Sequence, residues 1–144
     1  TSRLLLGGEV IAAKGIGGYH LICDASNERA VARLREIKQR DTKPFAVMFR
    51  DLEHLQVYTA TEPMEERCLV SWRRPIVLLR QRSRLASGIN PGMHTLGCML
   101  SYMPIHYDWF ARTGIPALVM TSGNLSDLPI AITPEDAEAQ LAER

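Results

Sequence analysis

Cysteine is scarce in this sequence and its few copies are scattered. Cys23, Cys68 and Cys98 are the three among 144 residues, and no two form a CxxC pair. That usage argues against a disulfide framework and a structural zinc site, and it fits a reducing compartment. Long apolar runs are also missing. None approaches the roughly 20 residues needed to cross a bilayer. Leu4 to Leu6 is too short for a signal peptide and runs into Gly-Gly-Glu. The expectation is a cytoplasmic protein with no membrane contact. Neither sign of charge dominates: 17 basic residues face 16 acidic ones, for a net charge of +1. Whole-chain charge therefore gives no argument for nucleic acid or membrane binding. Three motifs are absent too: the GxxxxGKS/T phosphate loop, the GxGxxG dinucleotide turn and the GxSxG nucleophile elbow. His20, His54, His94 and His106 match no metal-ligand spacing, so a metal site made only of protein side chains is not expected.

What is present reads as one domain. A hydrophobic share of 46% and a charged share of 23% are ordinary for a globular chain. At this length, roughly two-thirds of the unfolded surface is buried on folding. Glu9 to Lys14 and Tyr19 to Cys23 read as short strands around a glycine turn, Gly15, Gly17 and Gly18. Asp24, Ser26 and Asn27 offer caps for a helix whose apolar face is Ala30, Val31, Leu34 and Ile37, ending near Lys38. Phe45 to Phe49 is a buried strand, and Asp51 caps a short helix. Thr61 is expected to cap the next helix, with Met64, Cys68 and Leu69 turned inward. Pro75 to Leu79 and Gly97 to Leu100 are strands, and Pro104 to Arg112 is a helix stopped by Gly114. Pro116 to Met120 is a buried strand, and Pro129 to Ile132 a further short one. Thr133-Pro134-Glu135-Asp136 opens the last helix. Interleaved strands and helices give an α/β class, of α+β type. Several strands are very short, so a mixed twisted sheet is expected rather than a regular parallel one.

Three stretches carry polar chemistry. From Arg33 to Lys43 there are five basic residues and two acidic ones. Lys38 and Arg40, two apart, would diverge on a helix but align on an extended segment. Pro44 biases Lys43 toward extended backbone. One reading is three cations, Lys38, Arg40 and Lys43, converging on a polyanion such as a triphosphate. The other is a solvated helix end, where basic residues favour the macrodipole. The second stretch is Thr121-Ser122-Gly123-Asn124, directly after an apolar strand. Ligands of open α/β sheets bind at such strand ends, although an Asn-bearing turn that caps itself explains the same residues. The third is Lys14 with its glycine loop. The arginines at 80, 82 and 84 read as a solvated strand end, or as a contact for RNA or another domain.

These stretches occur together in one family. KGIGGYHLICDA, the LRxxKxRxxKPFAVM stretch, RRPIVLL and TSGNLSDLPI resemble the YrdC-like domain of the hydrogenase-maturation carbamoyltransferases, the HypF family. The resemblance runs in order from about Gly8 to Ile132. It implies a twisted mixed sheet flanked by helices, with a concave basic cavity. It implies ATP and Mg2+, and attack of a carbamate oxygen on the α-phosphate to give carbamoyl adenylate and pyrophosphate. Lys38 and Arg40 would hold the phosphates and the departing pyrophosphate, with Lys43 assisting. Ser122 and Asn124 would fix the nucleotide, supported by Thr121. Lys14 and Gly17 would face the carbamoyl end. Residues 1–144 would be one YrdC-like domain of a larger protein that also carries acylphosphatase, zinc-finger and transfer domains. Those domains would supply carbamate from carbamoyl phosphate and pass the carbamoyl group to a cysteine of a maturation protein. Two alternatives stay open: threonylcarbamoyl-AMP synthesis for tRNA modification, and a non-catalytic module that binds double-stranded RNA.

Overall fold

The computed structural model describes residues 1–124 and 128–141. A short helix α1 (Ser2–Leu6) leads into β1 (Ile11–Lys14) and β2 (Tyr19–Asp24), then α2 (Glu28–Lys38) and β3 (Ala46–Phe49). Next come α3 (Leu52–Tyr58), the two-residue β4 (Thr59–Ala60), α4 (Pro63–Val70), β5 (Val77–Gln81) and β6 (Thr95–Leu100). The chain continues through α5 (Pro104–Thr113), β7 (Ala117–Ser122) and α6 (Pro134–Leu141). One seven-stranded sheet runs in the order β1-β2-β7-β3-β6-β5-β4. Among the described strands only β3 and β6 pair in parallel. The class is thus α/β with a mixed sheet, as expected.

The last strand in sequence lies in the middle of the sheet. β7 pairs antiparallel with both β2 and β3, so its side chains must be apolar on both faces. Ala117 and Val119 face the layer built by Ala30, Val31 and Leu34 of α2, with Leu55 and Leu69. Leu118 and Met120 face Leu5 of α1 and Trp109 and Phe110 of α5. Alternation along a strand then sends Thr121 to the α2 side and Ser122 to the other.

Local chemistry explains the helix ends. Asn27 is the cap of α2, its Oδ1 accepting from the N–H groups of Arg29 (3.0 Å) and Ala30 (3.1 Å). The helix stops where Gln39 enters the left-handed region at φ 48°, a conformation usually left to glycine. Helix α5 closes on Gly114 at φ 66°. Asp136 of α6 meets its cap reciprocally: its Oδ2 accepts from Thr133 N at 3.2 Å, and Thr133 Oγ1 accepts from Asp136 N at 3.1 Å.

Some expectations fail. Glu62, not Thr61, caps α4, through a reciprocal box with Glu65. Thr61 instead donates its hydroxyl to Glu66 at 2.6 Å. Met64 and Cys68 are exposed, and Leu69 is the residue of α4 that is buried. A helix of eight residues over the outer strands buries only a narrow stripe, so Cys68 is not a core residue. Pro129 to Ile132 is not a strand. It is pinned by single bonds, Tyr19 N to Ala131 O (2.8 Å) and Ala131 N to Gly123 O (3.1 Å). Strand β4 was not anticipated, being two residues long. Leu125 to Asp127 of the TSGNLSDLPI stretch lies outside the described residues, as do residues 142–144.

Candidate functional site

The C-terminus of α2 lies over the end of β7, and Lys38 joins them. Its ammonium donates to Ser122 O (2.8 Å), Asn124 O (2.6 Å) and Asn124 Oδ1 (2.9 Å). Only 4% of Lys38 is exposed. Asn124 is held in turn, because Ser122 Oγ donates to its Oδ1 at 2.7 Å and its Nδ2 donates to Leu128 O. Burial, and then the neighbouring charges of Arg40 and Lys43, push the Lys38 pKa down to about 8. The group is still mostly cationic at neutral pH.

Arg40 reaches the same corner by another route. One Nη donates to Thr121 Oγ1 (3.4 Å) and the other to Pro44 O (2.8 Å), while Nε donates to Lys43 O (3.0 Å). The guanidinium sits 4.9 Å from the centre of the Phe45 ring, as does that of Arg35. Arg35 braces the loop by donating to Gly88 O and Arg40 O, each at 2.6 Å. Two of the three expected cations, Lys38 and Arg40, therefore come together, by a different geometry from the extended segment expected. Lys38 is still helical, and the left-handed Gln39 turns the chain so that Arg40 comes alongside. Lys43 is exposed, and its carbonyl rather than its side chain joins the network.

The glycine hairpin closes the other side. Lys14 pairs with Tyr19, Gly15 N donates to Gly18 O at 2.7 Å, and Gly123 N donates to Tyr19 O at 2.7 Å. Two glycines are sterically required here. A Cβ on Gly123 would lie 2.7 Å from Tyr19 O, and one on Gly18, at φ 143°, would lie 2.8 Å from Ala131 O. Gly17 has open space around it. Lys14 is exposed, with its ammonium 6.0 Å from the Tyr19 ring centre. Neither of these two lines the hollow described next.

A cavity of about 550 Å³ opens on the face of the sheet away from α2. His20, Met99, Met120 and Ser122 form its floor. Trp72, Arg73, Arg74 and Ile76 stand on one rim, Ile16 on another, and Tyr102 closes one end. Ser122 is shared: its carbonyl holds Lys38, and its residue lines the cavity. Arg73 and Arg74 make its rim basic, while Lys38 and Arg40 are not among its lining residues. A second hollow, of about 500 Å³, lies beside the outer face of α2. Glu9 and Glu36 balance Arg29 and Arg33 there, so it has no preference for anions. Sequence reasoning missed His20, Tyr102, Arg73 and Arg74. Arg73 and Arg74 entered the sequence reading only as the start of the RRPIVLL stretch, and Arg74 reaches the rim from the left-handed region at φ 44°.

The family described as "Telomere recombination", Sua5/YciO/YrdC, matches residues 3–144. The chain belongs to the Sua5/YciO/YrdC family. It is 42% identical over 147 residues to the carbamoyltransferase HypF of Rhizobium leguminosarum bv. viciae, a match covering 97% of this chain and 19% of the relative. It is 30% identical to the threonylcarbamoyl-AMP synthase of Vibrio vulnificus strain YJ016, covering 99% of this chain and 79% of that protein. Among solved structures, full-length HypF in a phosphate- and nucleotide-bound form superposes with a TM-score of 0.95 at 47% identity, over 99% of this chain and 19% of that one. The chain thus spans about a fifth of the length of the HypF relatives it matches. The family's sheet is the one described above.

Proposed function

We propose that this chain binds ATP in the His20–Ser122 cavity and forms carbamoyl adenylate. One observation carries the reading: Lys38 and Arg40 meet the Thr121–Asn124 turn, and Ser122 of that turn lines the cavity. Displacement at phosphorus needs positioning and charge neutralisation more than a protein nucleophile. A carbamate oxygen bonds to the α-phosphorus, the bond from that phosphorus to the bridging oxygen breaks, and pyrophosphate leaves. Lys38 and Arg40 neutralise the phosphates. Ser122 and Asn124 fix their position, with Thr121 behind Arg40 and Lys43 assisting from the exposed loop. Arg73 and Arg74, on the rim, receive the leaving pyrophosphate. Among the described residues no three His, Cys, Asp or Glu side chains group together. Magnesium would therefore be held chiefly by the phosphates and water, as is usual for this ion.

The name of the Rhizobium relative supports a carbamoyl transfer in a longer protein, and the resemblance extends this to hydrogenase maturation, where the carbamoyl group becomes a cyanide ligand. The second reading is threonylcarbamoyl-AMP synthesis, favoured by the likeness to the Vibrio protein over 79% of its length. Pyrophosphate release separates them. The first reading expects release with ATP and carbamate (or carbamoyl phosphate with an acylphosphatase added). The second expects it with threonine and bicarbonate. RNA binding without any nucleotide binding would overturn both.

A further inference from the structure

Trp72 is a side chain of the cavity that the proposed chemistry leaves unused. It and Ile16 are the two most exposed large apolar side chains among the described residues, each at 83%, and both line this one cavity. Ile76, also exposed, lines it too. The other tryptophan, Trp109, is buried in the core beneath α5. Exposed apolar side chains scattered singly need no explanation, but three round one hollow mark a binding surface.

The chain holds Trp72 in place. Arg74 N donates to Ser71 O at 3.0 Å, so Ser71–Arg74 is a hydrogen-bonded turn with Trp72 and Arg73 at its corner. Ser71 Oγ donates to Cys68 O at 2.7 Å and ties the turn to the end of α4. Arg74 closes the turn at φ 44°, a left-handed conformation that non-glycine residues seldom adopt and that recurs at ligand sites. The Arg73 guanidinium sits over the indole, 4.6 Å from the ring centre. One face of the ring is thereby occupied and, at 83% exposure, the other is open. An open indole face at the mouth of a cavity suits a flat aromatic ring, and the basic rim beside it suits an anion. A nucleotide carries both. We propose that Trp72 is the platform on which the base of ATP stacks, with Arg73 bracing the indole from behind. A stacked guanidinium still presents its N–H edge to phosphate, so Arg73 serves both ends of the molecule. With the base on Trp72 and pyrophosphate leaving past Arg74, the nucleotide bends across the floor toward Ser122. The proposal rests on the reading that the cavity holds ATP.

Trp72 is exposed, so its replacement leaves the fold intact and the full chain can be used. Calorimetry with ATP should show Trp72→Ala losing about tenfold in affinity, the effect of one lost base–aromatic stack. Affinity for tripolyphosphate, which carries the charge without the base, should be the same in both chains. Trp72→Phe keeps a ring and should keep most of the ATP affinity. Fluorescence gives a second readout. ATP should quench the emission of the wild-type chain and tripolyphosphate should not, while Trp72→Phe, left with the buried Trp109, should show no quenching. A Trp72→Ala chain that binds ATP as tightly as the wild type, or quenching by ATP that survives in Trp72→Phe, overturns the proposal while nucleotide binding itself stands. Emission that changes with chain concentration and not with ATP assigns the ring to a contact between copies, and overturns it as well. If the chain binds no ATP, the adenylate reading fails and this inference fails with it.

Discussion

Lys38 and Lys14 end neighbouring elements at the same edge of the fold, and their surroundings differ sharply. Lys38 is 4% exposed and donates to three oxygens of the Ser122–Asn124 turn. Lys14 is exposed, with its ammonium 6.0 Å from the centre of the Tyr19 ring. The difference lies in what stands opposite. Helix α2 ends against the central strand β7, whose turn offers carbonyls with no other strand to pair with. Strand β1 is an outer strand of the sheet, so Lys14 faces water. A lysine at an element's end becomes part of a site when a central strand end lies across from it.

The sharpest way to break this contrast is Lys38→Met, which keeps the stem and removes the ammonium. Losing a buried donor to three acceptors should lower stability by about 2–3 kcal/mol, read by urea unfolding. A loss under about 0.5 kcal/mol would place Lys38 with Lys14 among surface residues. Next, Lys38→Met and Arg40→Ala should each cost about 1.5–3 kcal/mol in ATP affinity, as lost charge-assisted bonds do. Calorimetry that found both unchanged would move the phosphates out of this corner. A smaller effect follows from the lowered Lys38 pKa. The cationic form binds phosphate, so ATP affinity should decline as pH rises through about 8, and Lys38→Met should lose that step. Stability should move the other way. The unfolded lysine keeps its proton to its ordinary value of 10.5 while the folded one releases it near 8. The unfolded state therefore binds more protons in that window, and stability rises with pH from about 8 to 10.5. The smallest effect belongs to Lys14→Ala, expected to shift stability by less than about 0.5 kcal/mol.

Much of the fold was legible in the residues. Period and capping signals located α2, α3, α5 and the buried strands, because Asn27, Asp51, Pro104 and Gly114 act on their own backbone within a turn. Errors came where the signal was short or shared. Thr61 and Glu62 both suit a cap, and the carboxylate reciprocated by Glu65 won. Cys68 fell on an apolar stripe, but α4 has only Leu69 to bury. Half of the candidate site was also legible: Lys38, Arg40, Thr121, Ser122 and Asn124 do meet. The route between the two cations was not, since a left-handed glutamine has no strong signature. The cavity floor was not legible either, because His20 and Tyr102 become neighbours only when β2, β6 and α5 pack.

By itself the sequence determined which segments are helix or strand and which residues carry charge, amide and hydroxyl groups, because capping, periodicity and turn chemistry act over a few residues. Only the tertiary structure decided that the last strand lies at the centre of the sheet, between β2 and β3. That placement brings residues more than 80 positions apart, Lys38 and Asn124, within hydrogen-bond distance. It depends on burying an apolar strand on both faces, a demand that the whole chain has to meet and that no local pattern specifies.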